Sequence, residues 1–438
     1  MGMYVAQIQE ADNKLRDRCM ASAKRIYGEN LPNIVKVRLD RELLAIFQCN
    51  HATHYMIATA MADCSLNKGC HITTRGAIGS SLVAFFSGIT EINPLEAHYR
   101  CPSCHYFELS ENRSEYDYVT GYDLPEKKCP VCGKLLIGDG ANIMSEMSMG
   151  TDMRGEPDVI MNFSPEVIQS VIDVLREMFG KDNVIGAGVS VNAEDGTRKT
   201  GVHPGGIFIV PAQVGISDIT GLRNDVRDDG IRLMVTERHY RDVEKHLKKY
   251  DILPKPELCI LHEMEIKTGV PVKSISIQEI GLLNNDDTDE NSFLIDGRDR
   301  KAFGIVHPKV FSDMVRMLGL AHTDFFDGNG DISAENILEA KRHGIYCRDD
   351  ILETLLRKGC DIHTSYTIMN SISRGKGVDE ITEKAMQSCG LSDDYIGFCK
   401  RIRYLFPRSM MASYALVNWR MAFYKAKYQE EFINVMSA

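Results

Sequence analysis

Two Cys-x-x-Cys pairs, Cys101-Pro-Ser-Cys104 and Cys129-Pro-Val-Cys132, have the residue type and spacing of a metal centre. Each pair can grip one ion, and four thiolates complete a tetrahedral zinc site with no open position, so the expected role is structural. Gly133 permits the tight turn of a zinc-ribbon knuckle, although the pairs stand slightly further apart than the usual template. The competing reading is four unpaired thiols on a loop. A second signal is Thr74-Arg75-Gly76-Ala77-Ile78-Gly79-Ser80-Ser81. Glycine lets a backbone approach phosphate, a helix start favours anions, and Arg75 adds charge. Such Gly/Ser-rich helix starts are common, so the loop alone establishes no phosphate site. A third is His203-Pro204-Gly205-Gly206, read as a tight turn before an apolar strand; a lone histidine there is more often structural than a ligand. The fourth runs from Tyr395 to Tyr428. It carries Lys400, Arg401, Arg403, Arg408, Arg420, Lys425 and Lys427 among aromatic residues, with no acidic residue before Gln429. That pattern suits a nucleic-acid backbone and stacked bases, and equally a helix whose aromatics are core. Two look-alikes carry no chemistry. The Asp327–Glu335 segment lacks the first and twelfth oxygens of a calcium loop. His262-Glu263 lacks the second histidine of a zinc-protease helix and reads as ordinary helix.

The elements that must position these residues follow from pattern. The chain has 438 residues, 44% hydrophobic and 26% charged, with net charge −10. That excludes disordered and collagenous chains and a general nucleic-acid coat, and leaves room for two to four compact units. No apolar run is long enough to span a membrane, and the first residues show neither a signal-peptide pattern nor a myristoylation site. Thirteen cysteines without a secretory signal point to reduced thiols and metal ligands in the cytoplasm, not to disulfides. Helices are predicted over 5–30, with Gly28 as a stop, over 40–47, and over 165–179 with Ser164 as cap; 54–64 is a buried helix or strand. The 74–81 loop reads as a turn opening a helix. Short strands follow Val184, an acidic linker covers 284–300, and the rest is helical after Val306. The expected divisions are 1–97, 98–150 (the four-cysteine insert), 151–283, the linker 284–300, and 301–438.

In this order the pieces resemble one family: PolC, the DNA polymerase III alpha-type replicative polymerase of Gram-positive bacteria. The resemblance runs from about Ala11 to Tyr428 with gaps. It is carried by TRGAIGSS at 74–81, ITEINPLEAHYRCPSC at 89–104, GYDLPEKKCPVCG at 121–133, TGVHPGGIFIVP at 200–211, CRDDIL at 347–352, RGKG at 374–377 and KRIRYLFPRSMMASYALVNWR at 400–420. It implies an α+β fold: a palm of nucleotidyltransferase type, a zinc-ribbon insert and a helical fingers-like domain. It also implies nucleotidyl transfer at two magnesium ions held by three aspartates, with primer–template DNA, dNTP and replisome proteins as partners and no membrane. By the same resemblance Arg75, Gly76, Gly79, Ser80 and Ser81 contact triphosphate, and His203, Arg348, Lys376, Lys400, Arg403 and Arg408 belong to the substrate-binding set. Asp158 and Asp251 match the first and third carboxylates. Ile160 stands at the second, two residues after Asp158, where strand alternation would place a carboxylate on the same face. A hydrocarbon cannot hold a hard cation. The expected loss is several kcal/mol of transition-state stabilisation, on the order of a thousandfold in rate. Glu156 or Asp152 would have to substitute, and Glu156 matches no family ligand. The segment between Val189 and Arg198 and the region after Asp251 are shorter than in the family, Met410 replaces a histidine, and Gln429–Phe432 is a poor clamp peptide. The family's OB, PHP, exonuclease and helix-hairpin-helix modules have no counterpart here. The expectation is a catalytically impaired core acting by binding DNA, nucleotide or partners. The alternatives are a minimal active polymerase and a zinc-stabilised interaction protein that mimics PolC.

Overall fold

The computed structural model describes residues 4–110, 120–192, 198–275, 277, 297–325 and 333–437. The calcium-loop look-alike up to residue 332 and nearly all of the acidic linker lie outside them; the linker's last residues already belong to a helix, Gly297–Val306.

The fold is α+β. Its strands are β1 (Ile72–Thr74), β2 (His98–Arg100), β3 (Phe107–Leu109), β4 (Ile137–Asp139), β5 (Ile160–Phe163), β6 (Val184–Asn192), β7 (Arg198–Ile209), β8 (Leu222–Val226), β9 (Arg232–Thr236), β10 (Lys249–Pro254), β11 (Asp324–Phe325) and β12 (Ile402–Tyr404). Seven form one mixed sheet in the order β1-β5-β10-β7-β6-β9-β8, and β3-β2-β4 form a small separate sheet. In the large sheet β5 and β10 run parallel, with β1 antiparallel to β5 and β7 antiparallel to β10.

Alternation decides which side of the sheet is core. Val159, Met161 and Phe163, with Tyr250 and Ile252, are buried among the N-terminal helices and the helix Ile168–Phe179. That helix buries Ile168, Val171, Ile172 and Leu175, the spacing of one helical face. Asn162 points the other way, and its amide donates to Tyr414 Oη (3.1 Å) on the long helix Arg408–Lys427. A second core unites that helix with the helical C-terminal half of the chain.

Several elements depart from expectation. The first helix is Ala11–Tyr27, beginning after Glu10 in the left-handed region and ending, as expected, at Gly28. The second extends back to Asn33, just after Pro32, and 54–64 lies within the helix Ala52–Leu66. Ser164 does not cap: a 3-10 turn, Pro165–Val167, precedes the helix, and the serine hydroxyl donates to Glu166 Oε1 (3.1 Å). Pro204-Gly205-Gly206 is not a turn but the interior of β7. Glycine is needed there for close approach: a Cβ on Gly205 would lie 2.6 Å from Ile252 O, and one on Gly206 2.7 Å from Ala187 Cβ. Cys360 and Cys389 are joined in a disulfide (Cα–Cα 5.8 Å), against the expectation that all thiols are reduced.

Candidate functional site

The 74–81 loop is bound to β5 by its backbone. The N–H groups of Arg75 and Gly76 donate to Ile160 O (2.9 and 3.2 Å), and that of Ile78 to Asp158 O (3.4 Å). A Cβ at Gly76 would stand 2.1 Å from Asp158 O, and one at Gly79 2.3 Å from Thr74 Oγ1. Gly76 is therefore required for packing the loop on β5, and Gly79 for folding the loop back on Thr74. The loop makes a 3-10 turn (Ala77–Ser80) before the short helix Leu82–Ser87, whose N-cap is Ser81.

The two serines were expected at a triphosphate, but both are fully buried. Ser80 Oγ lies 2.8 Å from Ser409 Oγ, and Ser81 Oγ donates to Glu42 Oε2 (2.7 Å). Glu42 is itself buried and paired with Arg38 (2.9 Å), whose guanidinium also donates to the carbonyls of Ser80, Pro94 and Ile143. This Arg38–Glu42 support was invisible in sequence. Arg75 alone of this group presents an exposed cation, 5.2 Å from the Phe406 ring centre.

Beside the loop stand the carboxylate positions. Ile160 is the register partner of Asp251 across the parallel β5–β10 pair, and the Asp251 N–H donates to Val159 O (3.0 Å). Asp158 is exposed and Asp251 buried. Lys249, two residues before Asp251 on β10, donates to both of its carboxylate oxygens (3.1 and 2.9 Å). His203 Nδ1 accepts from the N–H of Gly206 (2.9 Å), which assigns it as the unprotonated nitrogen; its 3.7 Å approach to Asp251 is then no hydrogen bond. Burial holds the His203 pKa below the usual histidine range despite the Asp251 charge. Glu244 completes the group, 3.5 Å from Lys249 Nζ. Burial lifts its carboxyl above the usual range, against the Lys249 charge and with Asp251 and Asp158 adding to it. Sequence reasoning missed Lys249 and Glu244. Strand alternation could have found Lys249, which shares the face of Asp251. Glu156 is engaged elsewhere, 3.0 Å from His54 Nε2, and Asp152 accepts from the Arg154 N–H (3.0 Å). For the pair of magnesium ions that the resemblance implies, these donors do not fit: Ile160, the register partner of Asp251, offers only a hydrocarbon, and an ammonium covers Asp251.

The basic C-terminal stretch divides. Its aromatic residues Trp419 and Tyr424 are core. Arg408, expected at substrate, is 1% exposed and held by Asp350 (2.8 Å) and Glu353 (2.6 Å). Arg348 is also buried, with its backbone N–H on Phe406 O (3.0 Å). Lys400 pairs with Glu383 (2.8 Å), while Lys376 and Arg403 are exposed.

The four insert cysteines converge, all Sγ atoms lying within 4.8 Å of one another. Cys101 Sγ is 3.4 Å from Cys132 Sγ, and Cys104 Sγ is 3.5 Å from Cys129 Sγ. The N–H of Cys104 points at Cys101 Sγ and holds that thiol down to about 6. Gly133, at φ +72, closes the second knuckle by donating to Cys129 O (2.9 Å). Four thiol donors on two knuckles fit a tetrahedral metal centre.

Residues 13–195 match the family described as bacterial DNA polymerase III alpha NTPase domain. The chain is 33% identical, over 97% of its length, to the DNA polymerase III PolC-type of Thermotoga petrophila. It is 33% identical over 98% to that of Caldanaerobacter subterraneus, and 30% over 97% to that of Bacillus subtilis. The chain belongs to the PolC-like polymerase family. It spans about a third of the length of the relatives it matches, 34% for the first two. Among the described residues no helix is long and apolar enough to cross a membrane.

Proposed function

We propose that this PolC-like chain is a DNA polymerase core impaired in nucleotidyl transfer, which acts mainly by binding primer–template DNA, nucleotide or replisome proteins in the cytoplasm. On this reading the large sheet is a palm of nucleotidyltransferase type, residues 98–150 are a zinc-ribbon insert held by structural zinc on Cys101, Cys104, Cys129 and Cys132, and residues 301–438 are fingers-like. The observation that carries it is Ile160 at the register partner of Asp251, where the family's second carboxylate belongs. The Lys249 ammonium on both Asp251 oxygens supports it, since it supplies the charge a metal would bring. Asp158 and Asp251 are the carboxylates left for a single magnesium ion, which would have to displace Lys249 from Asp251. Arg75, Lys376 and Arg403 are the exposed cations for phosphate, while Ser80, Ser81, Arg348 and Arg408 act from behind by holding the loop and helix in place.

One observation favours a second reading, a minimal active polymerase: Glu244 shares the charge environment of Asp158 and Asp251 and could stand in for the missing carboxylate. Primer extension with magnesium and then manganese separates the two, with Ile160→Asp and Glu244→Gln variants and a DNA-binding assay alongside. The impaired reading expects salt-dependent DNA binding, no extension by the native chain, and some extension by Ile160→Asp. Extension by the native chain that Glu244→Gln abolishes establishes the second reading. A chain that neither extends nor binds DNA is left with the role of a protein-interaction scaffold.

A further inference from the structure

The ends of β1, β5 and β10 remote from Asp158 carry a second group of metal-type donors. Cys70 lies two residues before β1, Glu166 three residues after β5, and Cys259 and His262 lie on the helix Pro256–Thr268 that follows β10. Donor atoms of Cys70, Glu166 and His262 all lie within 4.8 Å of one another. Cys70 Sγ is 3.2 Å from Glu166 Oε1, and Cys259 Sγ is 3.6 Å from Glu166 Oε2. Cys259 and His262 are three residues apart and so share a helix face. Gly69 is in the left-handed region at φ +79, and a Cβ there would stand 2.8 Å from His262 Cε1. The missing side chain is what lets the imidazole sit beside Cys70. The Ser164 hydroxyl, which fails to cap its helix, donates to Glu166 Oε1 and fixes the carboxylate.

We propose that Cys70, Glu166 and His262, with Cys259 as fourth donor, form a second metal centre for a zinc-class divalent cation. Donors around one tetrahedral zinc stand roughly 3–4 Å apart, so small side-chain movements complete the shell. Thiolate and imidazole donors select zinc over magnesium or calcium, which take oxygen. Because the donors come from three strand ends, the ion would pin the Pro256–Thr268 helix to the sheet. The proposal is independent of whether the chain polymerises.

The test is the metal content of the purified full chain after zinc loading and removal of free ion. The expected result is two equivalents of zinc. Cys70→Ser/His262→Ala should hold one, and Cys104→Ser/Cys132→Ser should hold the other. A native chain with one equivalent, lost in the Cys104→Ser/Cys132→Ser variant and kept in Cys70→Ser/His262→Ala, overturns the proposal. A second measurement needs no variant. The native chain is stripped with a chelator, reloaded or not with zinc, treated with iodoacetamide and mapped by peptide mass spectrometry. Zinc should slow alkylation of the half-buried Cys259 about tenfold, while half-buried Cys64, outside the cluster, serves as reference. Equal labelling of Cys259 with and without zinc overturns the site.

Discussion

Arg408→Met asks whether a basic residue in the C-terminal stretch serves DNA or the fold. The guanidinium donates to Glu353 Oε1 (2.6 Å) and Oε2 (3.0 Å), to Asp350 Oδ1 (2.8 Å) and to Asn142 O (2.7 Å), the last reaching back to the connection between the small sheet and β5. Its backbone N–H donates to Asp349 Oδ2 (2.8 Å). Methionine keeps the bulk and removes the charge, leaving Asp350 and Glu353 facing each other without a cation. Breaking a buried pair from one side costs about 3–5 kcal/mol, because the remaining charge stays desolvated. Glu353 is partly exposed, and water can relieve some of its share, so we place the loss near ~3 kcal/mol. The reporter is native: Trp419, the one tryptophan, is 3% exposed on the same helix, so its emission in a urea titration follows this region. Arg408→Lys should lose less, since it keeps the charge without the fork. Adding Glu353→Gln to Arg408→Met should recover part of the loss by removing one orphaned carboxylate. An Arg408→Met chain with an unchanged urea midpoint but weakened DNA or dNTP binding would refute the reasoning and return Arg408 to the substrate-binding set.

Glu91 is held well below the ordinary glutamate pKa of 4.5: burial pushes it up, but Arg420 (2.8 Å) and His71 pull it further down. A depressed carboxyl stabilises above its unfolded value and loses that contribution as pH falls toward its folded value, so native and Glu91→Gln urea midpoints should differ at pH 7, begin to converge as pH falls below 4.5, and meet only well below it. Gly76→Ala drives a methyl into Asp158 O and should cost about 1–3 kcal/mol, whereas Gly304→Ala, in a helix with nothing within 4 Å, should be neutral or stabilising by about 0.5–1 kcal/mol in the same denaturation assay. Chelation of the loaded chain, or Cys104→Ser/Cys132→Ser, should open the segment around β2–β4 to protease while the large sheet stays protected, read by limited proteolysis with peptide mapping.

What could be read from sequence was what is local. The four-cysteine cluster is legible because each knuckle brings two ligands three residues apart, and the fold only has to bring two knuckles together. The helix Ile168–Phe179 is legible because one face is apolar at helical spacing. The grouping of Asp158 and Asp251 in one site was reached only through resemblance, since nothing in either neighbourhood says that β5 and β10 are adjacent. The fate of the basic residues was illegible for the same reason. Arg408 looks like a phosphate ligand until Asp350 and Glu353, on another helix, claim it, and Arg420 until Glu91 does. The serines of the 74–81 loop turned inward because Glu42 and Ser409 arrive from distant helices. Pro204-Gly205-Gly206 misled in a different way: glycine was read as bending the chain, when it was needed for two strands to come close.

The same logic bears on Ile160. Three carboxylates gathered at adjoining strand ends repel one another unless metal ions sit among them, so a polymerase site of that kind is stabilised by the ions it uses. Here, on the resemblance, Ile160 stands where one carboxylate belongs, and Asp251 is covered by Lys249, which also reaches toward Glu244. Each change lowers the electrostatic cost of assembling β5 beside β10 without metal. On the proposed reading, strand ends of this kind would need no metal to hold their geometry, as suits a binding scaffold. Ile160→Asp alone adds a carboxylate charge to Asp158, Asp251 and Glu244, of which Lys249 already balances Asp251. It should therefore destabilise the chain without magnesium and regain stability with it. A chain in which magnesium leaves the urea midpoint of Ile160→Asp unmoved has lost the site's capacity for metal at more than this one position.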